Sequence, residues 1–295
     1  MIESAADALA DPIFVTGVIA GVIVLALGIA LSAVRGRDEV QRYGGVMVAA
    51  ATLLVLLQFE MIGLSQLFGV VVLAIAGLFR ATIAVGAAIA IPGAFLVARP
   101  DSFDPHSWLP WFAMFCIVLA APLVASFDDH YRDTGLPLPL FGIAALGLFL
   151  TVPDTEGAMA LLGVAGVAGF LGWPRPVATL GAGGSFAAVG VYVLVALEGA
   201  IGRPASIIAA MAIMGLLFIV PITDRMWGAP GAAQFDRVDP LIPLIAQLVL
   251  VLVISRTAGR IAGVLAAAAV TLALLIAAAF LTRLLRRRRP TQMPD

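Results

Sequence analysis

The sequence predicts an all-α fold: a polytopic integral membrane bundle of about 9–11 transmembrane helices, N-terminus outside and C-terminus inside. Three observations lead there. The 295 residues are 62% hydrophobic and 12% charged, with a mean hydropathy of +1.10, whereas soluble domains are about 45–50% apolar and about 25% charged. Apolar runs recur at lengths near the roughly 20 residues that an α-helix needs to cross about 30 Å of hydrocarbon. The 17 basic residues, all of them Arg, gather in alternate loops.

These figures exclude several classes. A net charge of −1 offers no field for DNA or RNA, so no nucleic-acid partner is expected. The apolar excess excludes a disordered chain. Cys116 is the only cysteine, so no disulfide forms within the chain, and in its apolar run it reads as a small hydrophobe. Lys and Asn are both absent, which points to a GC-rich bacterial genome. The acidic start, Met1 to Pro12, lacks the basic region of a cleavable signal peptide.

Taken in order, clear spans run Ile13–Val34, Tyr43–Leu57, Ser107–Ser126, Val177–Leu197, Pro204–Ile222, Pro240–Ser255 and Ile261–Leu281. Two stretches are ambiguous. Tyr43 to Ala98 carries only two charges, Glu60 and Arg80. It forms either two long helices or three spans with turns near Gly63–Gln66 and at Arg80. Leu138 to Gly172 is interrupted by Pro153-Asp154-Thr155-Glu156, and its halves make two short spans or a re-entrant pair.

Arg positions arbitrate, because cytoplasmic loops collect positive charge. With eleven spans and the N-terminus outside, Arg35, Arg37, Arg42, Arg80, Arg132, Arg175, Arg225, Arg237, Arg283 and Arg286 to Arg289 face inside, 13 of the 17. Arg99, Arg203, Arg256 and Arg260 face outside. Merging the Arg80 region into one helix gives ten spans and reverses the bias. Nine spans keep it but place Arg80 within the membrane, where an unpaired charge costs at least a few kcal/mol. Eleven is therefore preferred. The organisation is an outer tail at 1–12, a helical domain at 13–283 and a basic cytoplasmic tail at 284–295, in the plasma membrane. The terminal Arg run is a stop-transfer anchor that can also hold anionic lipid. Trp108, Trp111, Trp173 and Trp227 fall near span ends, as an aromatic belt requires.

The sparse polar positions supply the functional candidates. Glu60, Arg80 and Glu198 are ionisable groups nearest to apolar surroundings, and intramembrane charge is a functional pointer. Gln58, Ser65 and Gln66 would extend such a path, while the competing reading is interfacial snorkelling. Asp154 and Glu156 sit at a broken apolar stretch, a mark of transporter sites; the competing reading is a cap on the helix starting near Glu156. Asp128, Asp129 and Asp133 lie within six residues and could hold Mg²⁺ against a substrate phosphate, or else form a solvated loop with Arg132. His106 and His130 stand one span apart, on opposite faces, which disfavours zinc chemistry. Gly181-Ala182-Gly183-Gly184-Ser185 lacks the Lys and the strand of a phosphate loop and reads as close helix packing, as do Gly163, Gly166, Gly169 and Gly172.

The expected function is a permease-like transporter or flippase subunit, with Glu60, Arg80, Asp154, Glu156 and Glu198 along the path and no cofactor. The alternatives are a non-catalytic scaffold or accessory subunit with a membrane protein partner, and a Mg²⁺-dependent enzyme acting on a lipid-linked substrate.

Overall fold

The computed structural model describes residues 10–35, 43–79, 82–99, 107–131, 137–151, 156–172, 180–199, 205–215, 248–249 and 251–256. Among these residues the fold is all-helical and has no strand. In chain order the helices are α1 (Pro12–Arg35), α2 (Gly44–Gln58), α3 (Leu64–Leu78), α4 (Ile83–Ala98), α5 (Leu109–Tyr131), α6 (Pro137–Thr151), α7 (Glu156–Gly172), α8 (Ala182–Gly199) and α9 (Ala205–Gly215), with further helical residues at 251–256. The terminal tails and the run Ile261–Leu281 lie outside the described residues.

Three helices, Pro12–Val34, Leu109–Asp129 and Ala182–Gly199, are long and apolar enough to cross a membrane. The others are apolar but shorter. The 15 residues of α2, α3 and α6 give each a length of about 22 Å.

Tyr43 to Ala98 forms three helices and not two. The first break follows Gln58, where Glu60 takes a left-handed conformation with φ 58°. It ends at Gly63, whose backbone N–H donates to the Gln66 side-chain oxygen at 2.7 Å. Glycine has no side chain to return the bond, so this is one half of a capping box. The second break lies between Phe79 and Thr82, and the Thr82 hydroxyl accepts from the Val85 N–H at 3.2 Å as an N-cap. Leu138 to Gly172 likewise forms two helices, α6 and α7, packed against each other. Of the segment expected from Val177, residues 177–179 lie outside the described residues and the helix α8 begins at Ala182. Gly181 holds φ at 70°, a left-handed geometry that glycine adopts without steric cost and that ends any helix entering from the N-terminal side.

α8 is the axis of the bundle. Every residue from Gly183 to Leu197 is buried, with α2, α3 and α5 packed around it. α4 fills the space between α3 and α5, and α1 lies outermost against α7. Tyr192 ties α9 to the axis: its hydroxyl donates to the Ala210 carbonyl at 2.9 Å, and its ring lies 6.3 Å from that of Phe141 on α6.

Small residues set these distances. A Cβ on Gly184 would stand 2.6 Å from the Cα of Gly45 in α2, and one on Gly163 of α7 would meet the Gly17 backbone of α1 at 2.8 Å. Main chains this close gain dispersion contact all along the seam, the mode of association that works where no hydrophobic force separates helix from lipid. Large side chains point the other way. Ile19, Val22, Ile23 and Leu27 of α1 are exposed, as are Leu64, Phe68, Val71, Ile75 and Leu78 of α3. On α5, Trp111, Phe115, Leu119 and Leu123 continue the pattern. Spacings of three and four residues make each set one continuous stripe. Apolar surface of that extent marks a membrane or protein contact, and α1 and α5 are also long and apolar enough to cross a membrane.

Adding one methyl at Gly184 therefore forces α2 and α8 apart. Gly184→Ala is expected to lower stability by about 1–3 kcal/mol, read as an earlier midpoint in detergent-titrated unfolding. Gly166→Ala, whose Cβ would meet only the Leu162 side chain at 3.5 Å, is expected to leave that midpoint unchanged.

Candidate functional site

Two polar nodes mark the opposite ends of α8. At its N-terminus sits Asp128, near the end of α5 and 1% exposed. One carboxylate oxygen accepts from the Leu180 N–H at 2.8 Å and the other from the Gly181 N–H, also at 2.8 Å. The Leu180 carbonyl in turn accepts from the Gly45 N–H at 3.0 Å. The Gly181 carbonyl receives both the Ser185 N–H and the Ser185 hydroxyl, each at 2.8 Å. The buried carboxyl group is held here by two main-chain N–H bonds beside the N-terminus of α8. The result joins α5, α2 and α8 at one point.

This arrangement gives Asp128 a structural task. Asp129 beside it is exposed, and Asp133 and His106 lie outside the described residues. Among the described residues no group of three His, Cys, Asp or Glu side chains is placed to hold a metal ion.

At the opposite end Glu198 occupies the last turn of α8, half-buried. Its side chain is hydrogen-bonded to that of Gln66 in the first turn of α3. Because the Gln66 oxygen is already taken by the Gly63 N–H, the amide flip is fixed and the NH₂ group faces Glu198. Arg99, the left-handed C-cap of α4 with φ 44°, closes the group: its guanidinium lies 3.5 Å from the position of a Cβ on Gly63. The start of α3 and the end of α8 thus meet at the Glu198 carboxylate, with the end of α4 beside Gly63.

Two further candidates belong to the same end. Glu156 opens α7 and is exposed; its neighbour Gly157 lies against Val195 of α8 and Leu56 of α2, at 3.3 and 3.5 Å from a built Cβ. Glu60 follows α2 directly and is exposed. Glu60, Glu156 and Glu198 therefore share one end of the bundle. Asp154 and Arg80 lie outside the described residues. Gly77, in the last turn of α3, packs on Ala182 and Gly183 at the other end, so the whole of α3, about 22 Å, separates that helix end from Glu60.

Sequence reasoning singled out Glu198 and Gln66 but did not join them, and it gave Arg99 no role beyond topology. The spacing Gly63-x-x-Gln66 was the available signal, since a Gln at the third helical position typically turns back to the cap. Comparison with protein-family models and with curated proteins finds no match for the chain.

Removing the Asp128 carboxylate leaves two buried N–H groups without their acceptor. Asp128→Ala is expected to cost at least about 2 kcal/mol, each orphaned donor being worth about 1–3 kcal/mol. Asp128→Asn, which retains one acceptor oxygen, is expected to fall between the variant and the parent when all three are compared by thermal unfolding in the same detergent.

Proposed function

We propose that the chain is a multi-pass plasma-membrane protein with eleven spans, N-terminus outside and C-terminus inside, that works as a permease-like transporter or flippase subunit. Support for the topology comes from the two breaks in 43–98 and from the separation of α6 and α7. They supply the turns that an odd, eleven-span count needs to keep most Arg residues inside. Under this reading Glu60, Glu156, Glu198 and Arg99 face the outside, and Asp128 faces the inside.

One observation carries the transport reading: the half-buried carboxylate of Glu198 at the end of the innermost helix, held by a side chain from a neighbouring helix. Ionisable groups at membrane depth are expensive and characteristically serve an ion or solute path. A second reading, an accessory subunit of an envelope assembly, draws on the interior of α8, whose buried stretch from Gly183 to Leu197 has only Ser185 and Tyr192 as polar side chains. Such an axis is suited to rigidity.

Charge movement on a solid-supported membrane separates the two. Proteoliposomes of the full chain, challenged with a panel of amino acids, sugars, organic anions and cations, are expected to give a current with at least one solute. Glu198→Gln is expected to reduce that current at least tenfold. Silence across the panel, together with co-purification of one defined membrane partner, would establish the accessory role instead.

A further inference from the structure

The surroundings of Glu198 select among the ions that a carboxylate can take. The Gln66 amide presents its NH₂ group, because Gly63 holds its oxygen. Arg99, the charged residue at the end of α4, has its guanidinium beside Gly63 and not on Glu198. A metal cation needs several ligands at once, and among the described residues no three His, Cys, Asp or Glu side chains come together to supply them. A proton needs only the carboxylate itself. We propose that Glu198 is a proton-exchange site, and that proton uptake there loosens the Gln66–Glu198 tie between α3 and α8, so that transport is coupled to the proton gradient. This deepens the permease reading and rests on it for the coupling step alone.

The chemistry is a simple acid–base exchange. The carboxylate takes one proton from water at its own end of the bundle and later returns it; no electron moves. In the charged state the amide donates to an anion, and in the neutral state to an uncharged acid, a bond roughly half as strong. Among the described residues, few other titratable groups belong to this end of the bundle. From the elements packed on α8 at this end they are Glu60 after α2, Arg99 after α4 and Glu156 at the start of α7. α3 and α9 contribute none, and the described part of α5 carries Cys116 at mid-length and its carboxylates, Asp128 and Asp129, at the far end. Gln66 is then a positioning residue, fixed by the Gly63 N–H so that its donor meets Glu198 in one orientation.

Infrared difference spectroscopy on the full chain in liposomes, between acid and alkaline buffer, tests this without knowledge of the solute. A carboxylic-acid carbonyl band is expected on acidification, lost in Glu198→Gln, moved but retained in Glu198→Asp, and unaffected by Glu60→Gln or Glu156→Gln. Amide hydrogen exchange over residues 60–66 is expected to quicken severalfold at acid pH in the parent. In Gln66→Leu it is expected to be fast at every pH while the Glu198 band persists. A band indifferent to both Glu198 substitutions overturns the proposal, as does solute flux driven by a sodium gradient and blind to a pH gradient. A Glu198 band with pH-dependent exchange but no flux of any solute upholds the proton site and removes the permease reading.

Discussion

The bundle depends on where α8 begins. Nothing in the apolar composition decides that point, since the residues before Ala182 are also apolar enough to continue a helix. The start is set by a buried carboxylate, Asp128, accepting from two consecutive backbone N–H groups, with Gly181 turned to φ 70° so that both can reach it. Once α8 starts there, Gly183 and Gly184 fall opposite α3 and α2, and its main chain approaches theirs more closely than any side chain would allow. Shifting the start by one residue would rotate α8 by about 100° and present bulkier residues to those seams. A single carboxyl cap thus fixes both the height and the rotation of the axis.

The same axis gives the far end its geometry. Glu198 stands where it does because α8 runs without a break from its capped start, and Gln66 meets it because the turn after α2 closes at Gly63. The two nodes contrast chemically. Asp128 is buried, with both oxygens engaged by main-chain donors, as befits a group that holds a fixed arrangement. Glu198 is half-buried and is held by a side chain from the start of α3 rather than inside one rigid seam.

Much of this was legible in the residues. Apolar length and Arg spacing anticipated helices at 12–35, 44–58 and 109–131 to within a few residues, because a long apolar run between charges admits little else. A turn near Gly63–Gln66 is anticipated on turn grounds, and α3 starts directly after Gly63; the helices on either side of Arg80 end at Leu78 and start at Ile83. The acidic run at 128–133 was legible as unusual but not as a cap, since its partners Leu180 and Gly181 lie some fifty residues on and advertise themselves by no side chain. For the same reason the glycines of 181–184 could be read as packing residues without revealing that Gly45 and Ala74 would be what they touch. Long-range backbone acceptors and close main-chain contacts leave little trace in a single sequence.

One consequence of the short third helix concerns the lipid itself. The exposed stripe of α3, from Leu64 to Leu78, is about 22 Å tall, and under the multi-pass proposal it stands beside hydrocarbon that is about 30 Å thick at rest. In a bilayer such hydrophobic mismatch is met by local thinning of the leaflets. Headgroups and water are drawn inward at the ends of α3, and one of those ends carries Gln66. Under that proposal the membrane dips toward Glu198, letting a carboxylate in the last turn of α8 meet the aqueous phase through a dimple in the lipid instead of a channel through the protein.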